Sequence, residues 1–151
     1  MPASIRRANS GDLQAWRTLR RALWPDISDV ENASECEAIL GDDDFAVFVA
    51  DAANVLVGFV EARLRQYADG CDSSPVGFIE GWYVAPESRH AGIGRKLVFA
   101  AEDWARSRGC TEMASDALLE NIEGHAAHKH LGYSEVEKKI AFRKDLRIGS
   151  G

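Results

Sequence analysis

VGFIEGWYVAPESRHAGIGRKLVFAAEDWARSR, residues 76–108, decides the fold. Val76, Phe78, Ile79, Trp82, Tyr83 and Val84 form an apolar, β-prone run that stops at Pro86, so 76–84 reads as a buried strand. Gly92 and Gly94 follow, and then Leu97, Val98, Ala101, Trp104 and Ala105 recur at the spacing of one helix face. The unit is strand, glycine loop, helix. Glycines let backbone approach a ligand closely, and the first helical turn offers unpaired N–H groups at the positive end of the macrodipole. That combination makes an anion site suited to a phosphate or pyrophosphate, with Arg89, Arg95 and Lys96 adding charge beside it. Neither G-x-x-x-x-G-K-S/T nor G-x-G-x-x-G is present, which excludes two familiar phosphate loops.

Arg89-His90-Ala91-Gly92-Ile93-Gly94, entered from Tyr-Val-Ala-Pro and followed by a helix, resembles the acetyl-CoA pyrophosphate loop of the GNAT superfamily of N-acetyltransferases. The resemblance covers nearly the whole chain in length and element order. It implies a single-domain α/β (α+β) fold in which helices flank a mixed, mostly antiparallel central sheet, with acetyl-CoA between two splayed strands.

The rest of the chain is compatible with that reading. With 151 residues, 46% of them hydrophobic, it can bury one core, and residues 1–148 read as one domain ahead of a flexible tail at Gly149-Ser150-Gly151. A net charge of −6 argues against a nucleic-acid surface and favours a cationic partner. There is no apolar run of membrane-spanning length and no signal-peptide core, so a cytoplasmic, soluble protein is expected. Cys36, Cys71 and Cys110 lack zinc spacing and read as reduced thiols, and no metal is called for.

Ile5–Arg7 reads as a first strand. Asn9 or Ser10 caps a helix with Leu13, Trp16, Leu19 and Leu23 on its inner face, and Trp24-Pro25 ends it. An acidic segment from Asp26 becomes helical toward Leu40. Phe45–Ala50 and Val55–Arg65 form a hairpin, with Gly58 marking a bulge. Residues 66–75 make a long loop carrying Tyr67, Asp69 and Asp72. Gly109 ends the long helix, Glu112–Asp116 is a short strand, Asn121–His130 is a helix, and Ser134–Glu137 with Ile140–Arg143 read as a closing strand pair.

Acetyl transfer to an amine requires that the amine lose its proton, that the thioester carbonyl be polarised and that a thiolate depart. Glu80, in the middle of the apolar strand, is a candidate base whose partial burial would raise its basicity; pairing with a nearby Arg is the competing reading. Asp116, at the end of Met113-Ala114-Ser115, either meets a ligand or caps the next segment.

Leu23-Trp24-Pro25, Gly70-Cys71-Asp72-Ser73-Ser74-Pro75, Phe78-Ile79-Glu80-Gly81, Glu112-Met113-Ala114-Ser115-Asp116 and His130-Leu131-Gly132-Tyr133 narrow the resemblance to the chromosomal type of aminoglycoside 6'-N-acetyltransferase. It implies a substrate site lined by Trp24, Tyr67, Glu80, Asp116 and Glu137, with Glu80 and Asp116 catalytic. It also implies that Trp82, Tyr83, Val84, Arg89, His90, Ala91, Gly92, Ile93, Gly94, Arg95 and Asn121 hold acetyl-CoA, and that the enzyme is a homodimer with no nucleic-acid or membrane partner. Where many superfamily members carry a tyrosine that protonates the departing thiolate, this chain has His128, so no general acid is assigned. A polyamine, another small amine or a protein N-terminus is the alternative acceptor, and a non-catalytic acyl-CoA-binding module is the alternative of another class.

Overall fold

The computed structural model of the protein describes residues 2–147; the expected tail, Gly149–Gly151, lies outside them. Contacts divide the chain into two compact units, Met1–Asp116 and Ala117–Gly151.

The first unit carries the sheet. Its strands are β1 (Ser4–Arg7), β2 (Phe45–Ala52), β3 (Val55–Arg65), β4 (Val76–Val84) and β5 (Met113–Ser115), paired in that order. β1 to β4 are antiparallel, and β5 adds to β4 in parallel. The helices are α1 (Leu13–Leu23), α2 (Asp29–Leu40) and α3 (Ile93–Ser107). Asn9 caps the turn before α1 reciprocally: its side-chain oxygen accepts from the Gly11 N–H at 2.9 Å, and its own N–H donates to Asp12 at 2.8 Å. Ser28 caps α2 by accepting from the Glu31 N–H at 3.1 Å.

One extra residue in β4 decides which way the sheet's side chains face. Glu61 on β3 stands opposite Gly81, but Ala62 stands opposite Ile79, so Glu80 is the unpaired residue of a β-bulge. Side chains alternate along a regular strand, and an inserted residue reverses their assignment. A Cβ added to Gly77 would lie 2.7 Å from that of Ala105 on α3, whereas one added to Gly81 would lie 2.5 Å from the Trp24 ring at the end of α1. These two odd-numbered positions therefore face opposite sides. Beyond the bulge, Trp82 faces α3 and Tyr83 packs on the other side with Phe59, their rings 6.4 Å apart. The irregularity expected at Gly58 is also present: Ala50 pairs Gly58 and Asp51 pairs Leu56, leaving Val57 extra.

Trp16, Leu19, Cys36, Val47, Val49 and Phe59 form a core cluster on the α1/α2 face, against which Trp24 and Tyr83 pack. Trp16 and Trp104 are buried, as expected of aromatics on apolar helix faces. Sequence does not anticipate the polar centre beneath that cluster. Glu61 is 2% exposed, and its Oε2 accepts from Trp16 Nε1 at 3.0 Å and from Arg20 Nε at 2.8 Å. Arg20, equally buried, donates onward to Asn32 Oδ1 at 2.9 Å and Glu35 Oε2 at 2.7 Å. Each of the three guanidinium nitrogens thereby has a partner, which a charge taken out of water requires.

The second unit contains α4 (Ile122–His130). Asn121 caps it by accepting from the Gly124 N–H at 3.0 Å, and Gly132, at φ +90°, terminates it. The closing strands expected at Ser134–Glu137 and Ile140–Arg143 are not formed. Alternating apolar residues make a strand only where a neighbour completes the ladder, and no strand among the described residues pairs with this segment.

The buried pair yields a pH-dependent prediction. Burial pushes the Glu61 carboxyl up to about 7 against the opposing pull of Arg20 and the Trp16 N–H. Its folded pKa lies above the unfolded one, so its contribution to stability is complete below about 4.5 and is lost as pH rises through about 7. Arg20→Met removes the cation and should cost about 3–5 kcal/mol at pH 8 but clearly less at pH 5, where Glu61 is protonated. Urea unfolding of both proteins at the two pH values measures the difference.

Candidate active site

β4 and β5 stay together only briefly. Gly77, Phe78 and Ile79 pair with Met113, Ala114 and Ser115; there β5 ends, while β4 runs on to Val84. Among the described residues, no strand lies beside the edge of β4 that faces away from β3 from Glu80 onward. Alternate N–H and C=O groups of Gly81–Val84 point to that edge, because a strand bonded on one side directs every second pair to the other. The bulge at Glu80 stands where the two strands part.

The glycine loop lies just beyond the end of β4. Gly92 has φ +80° and His90 φ +67°, so the backbone turns through the left-handed region twice within three residues. A Cβ on Gly92 would meet nothing within 4 Å, so open space lies beside it. The first helical bond of the turn runs from the Lys96 N–H to the Gly92 carbonyl at 3.1 Å, so the N–H groups of Ile93, Gly94 and Arg95 precede the helix's own ladder. Trp82 Nε1 donates to the Gly94 carbonyl at 3.1 Å, and Arg89 Nε donates to the Val84 carbonyl at 2.8 Å while its guanidinium lies over the Tyr83 ring. Trp82 and Arg89 thus brace the loop from both ends. The exposed Arg95 and Lys96 supply the charge. Open space, glycine backbone, unpaired N–H groups and cations suit a pyrophosphate.

On the opposite face of the sheet, a groove of about 370 Å³ is lined by Trp24, Glu35, Asp42, Glu61 and Glu80, together with Arg20 and Arg63. Glu80 and Trp24, expected together, do share a site. Glu80 is not a solitary carboxylate in an apolar strand: Arg65 donates to both of its oxygens, at 2.9 and 2.8 Å. Trp24 caps α1 and rests against Gly81 and Phe59. Tyr67 is exposed on the loop before β4, where its hydroxyl donates to Asp69 at 3.2 Å. That loop is tied to the start of β5, because Glu112 accepts from the Asp72 and Ser73 N–H groups, each at 2.8 Å. Ser73 and these N–H groups hold the Glu112 carboxyl below its usual range. Asp116 is exposed immediately after β5.

Asn121 and Glu137 belong to the second unit. Asn121 is occupied as the α4 cap, and Glu137 lies exposed in the segment without regular structure. His128 Nδ1 lies 2.6 Å from the Gly124 carbonyl, which makes that nitrogen the protonated one, and its ring meets Tyr133 edge-on.

A sequence profile described as the acetyltransferase (GNAT) family matches residues 13–133, a span that includes the bulge, the parting strands and the glycine loop. The chain belongs to the GNAT acetyltransferase family. Among its relatives is the aminoglycoside N(6')-acetyltransferase type 1 of Stenotrophomonas maltophilia, 46% identical over 95% of this chain and 94% of that protein. The protein of the same name from Salmonella enteritidis is 43% identical over 93% and 97%. Among solved structures, AAC(6')-Iy in complex with the bisubstrate analogue CoA-S-monomethyl-acetylneamine superposes with a TM-score of 0.92, at 41% identity, over 96% of this chain and 99% of that one. As a GNAT protein the chain is an acetyl-CoA-dependent N-acetyltransferase, with the acetyl thioester as cosubstrate.

Glu35, Asp42 and Glu61 are groove residues that sequence reasoning missed. Glu61 reads as the polar position of an ordinary strand, and nothing in the sequence brings α2 beside it. Gly92 offers a direct test of the loop. Gly92→Ala meets no neighbour, so its effect comes from holding an alanine at φ +80°, about 1–2 kcal/mol. The free loop relaxes out of that conformation and the strain is met on binding, so CoA affinity by calorimetry should fall about 5- to 30-fold with the melting temperature little changed.

Proposed function

We propose that this acetyltransferase transfers acetyl from acetyl-CoA to the 6'-amino group of aminoglycoside antibiotics by direct transfer in a ternary complex, conferring resistance to them. The observation that carries the reading is the groove that unites Trp24 with Glu80 at the parting of β4 and β5, in a chain whose curated relatives bear that enzyme name. An acidic groove attracts a polyammonium sugar, and the indole offers a face for a sugar ring or an ammonium group.

Each residue has a role in this mechanism. The Gly92–Arg95 amides and neighbouring cations bind the pyrophosphate, and Trp82 and Arg89 keep the loop in shape. The open edge of β4 at Tyr83–Val84 hydrogen-bonds the thioester arm and polarises its carbonyl. Glu80 is the base. Arg65 uses two of the roughly four lone-pair directions of its carboxylate, leaving acceptor sites for the amine proton or for a water that relays it. Asp116 orients the amine from the end of β5, and Tyr67 completes the acceptor side. Loss of the proton exposes the nitrogen lone pair that attacks the carbonyl; as the amide C–N bond forms the thioester C–S bond breaks, and CoA leaves as its thiolate, which takes a proton from solvent.

The reaction belongs in the cytoplasm, where acetyl-CoA is available and the three unpaired cysteines remain thiols. No helix among the described residues is long and apolar enough to cross a membrane. The enzyme acts as a homodimer. Val136, Ile140 and Phe142 are exposed, Phe142 at 91%, on a segment that lacks a ladder partner, and a second copy would supply one. Light scattering at micromolar concentration should give about twice the 16.6 kDa chain mass; a monomer would overturn this.

Thiol release from acetyl-CoA tests the central reading. Turnover is expected with kanamycin and tobramycin, but not with their 6'-hydroxyl counterparts. Glu80→Gln should lower kcat about 10²–10⁴-fold, as loss of a general base does. Turnover with spermidine or a peptide instead would transfer the same chemistry to another acceptor.

A further inference from the structure

We infer that Arg20 is a positioning residue for the acceptor: from the buried centre of the fold it holds the Trp24 indole in place as the wall of the groove facing Glu80. The inference rests on the groove being the acceptor site. The guanidinium carbon lies 4.9 Å from the centre of the Trp24 ring, within cation–π range. Its nitrogens are fixed elsewhere, by Glu61 at 2.8 Å, Asn32 at 2.9 Å and Glu35 at 2.7 Å, so it presents a plane of set orientation to the indole. The outer edge of the ring rests on Gly81, where even a methyl group would lie 2.5 Å from Cη2. Gly81 is also the β4 residue opposite Glu61 and directly follows the bulged Glu80. Arg20 and Gly81 therefore grip one indole from two sides, and the grip is anchored through Glu61 to the strand position that aims the base.

Burial works against the Arg20 charge, but Glu61 and Glu35 outweigh it and keep the guanidinium protonated. A neutral buried side chain would be simpler if Arg20 served packing alone, since replacing buried ion pairs by apolar residues is often neutral or stabilising. Lysine keeps the positive charge for Glu61 but loses the planar face and the fixed fork of donors.

A double-mutant cycle separates positioning from general support. Arg20→Lys, Trp24→Ala and the double variant are assayed for the KM of kanamycin and of acetyl-CoA. Arg20→Lys should raise the kanamycin KM about tenfold with Trp24 present and hardly at all in Trp24→Ala, while the acetyl-CoA KM stays unchanged. Equal effects in both backgrounds, or parallel rises in both KM values, would overturn the inference while leaving the aminoglycoside reading intact. Should Arg20→Lys not fold, Asn32→Ala removes an anchor of Arg20 that does not line the groove and should give a smaller rise, of about two- to threefold, again only with Trp24 present. Absence of that rise overturns the inference as well. A wild-type protein inactive on kanamycin would instead remove the acceptor reading itself, and the inference with it.

Discussion

A single inserted residue, Glu80, is the constraint on which the site depends. Without the bulge, Glu80 would pair in regular alternation after Ile79, and Trp82 would point to the same side as Phe78. With it, Trp82 reaches the first turn of α3, while Gly81 and Tyr83 face α1. One strand then braces the glycine loop on one side and floors the groove of Trp24 and Glu80 on the other. The bulge coincides with the end of the β4–β5 ladder, so the carboxylate is delivered where the backbone edge becomes available.

That arrangement has to be held, and the holding is polar. Glu61, opposite Gly81, sits in a fully bonded network with Trp16 and Arg20 that extends to Asn32 and Glu35 on α2. Buried charge gives less stability than apolar packing of equal volume, but it has strict geometric demands. The position of α2 against α1, and with it the groove's rim, follows from satisfying them.

Much of this was legible in the sequence. The bounds of β3 and β4, the glycine loop, the cap ahead of α1 and the bulge near Gly58 follow from alternation, helical spacing and turn chemistry, all of which are local. The bulge at Glu80 is not local: Phe-Ile-Glu-Gly-Trp reads equally well as regular strand, and only register against Glu61 and Ala62 reveals the extra residue. An arginine partner for Glu80 is one of the two readings its sequence allows, but which arginine is hidden, as is the Arg20–Glu61 pair, because these contacts join residues 15 and 41 positions apart. Ser134–Arg143 erred in the other direction. Its alternation has the form of strand, but a ladder needs a partner, which sequence cannot guarantee.

The central claim is that the parting of β4 and β5 at Glu80 is where acetyl-CoA and an amino sugar meet. A crystal structure with CoA and kanamycin tests it most directly. The account predicts the CoA sulfur against the open edge of β4 beyond Ile79, and the 6'-nitrogen within one hydrogen bond or one bridging water of the Glu80 carboxylate, beside the Trp24 ring. Kanamycin seated away from Glu80, or CoA bound elsewhere than along that edge, would contradict it.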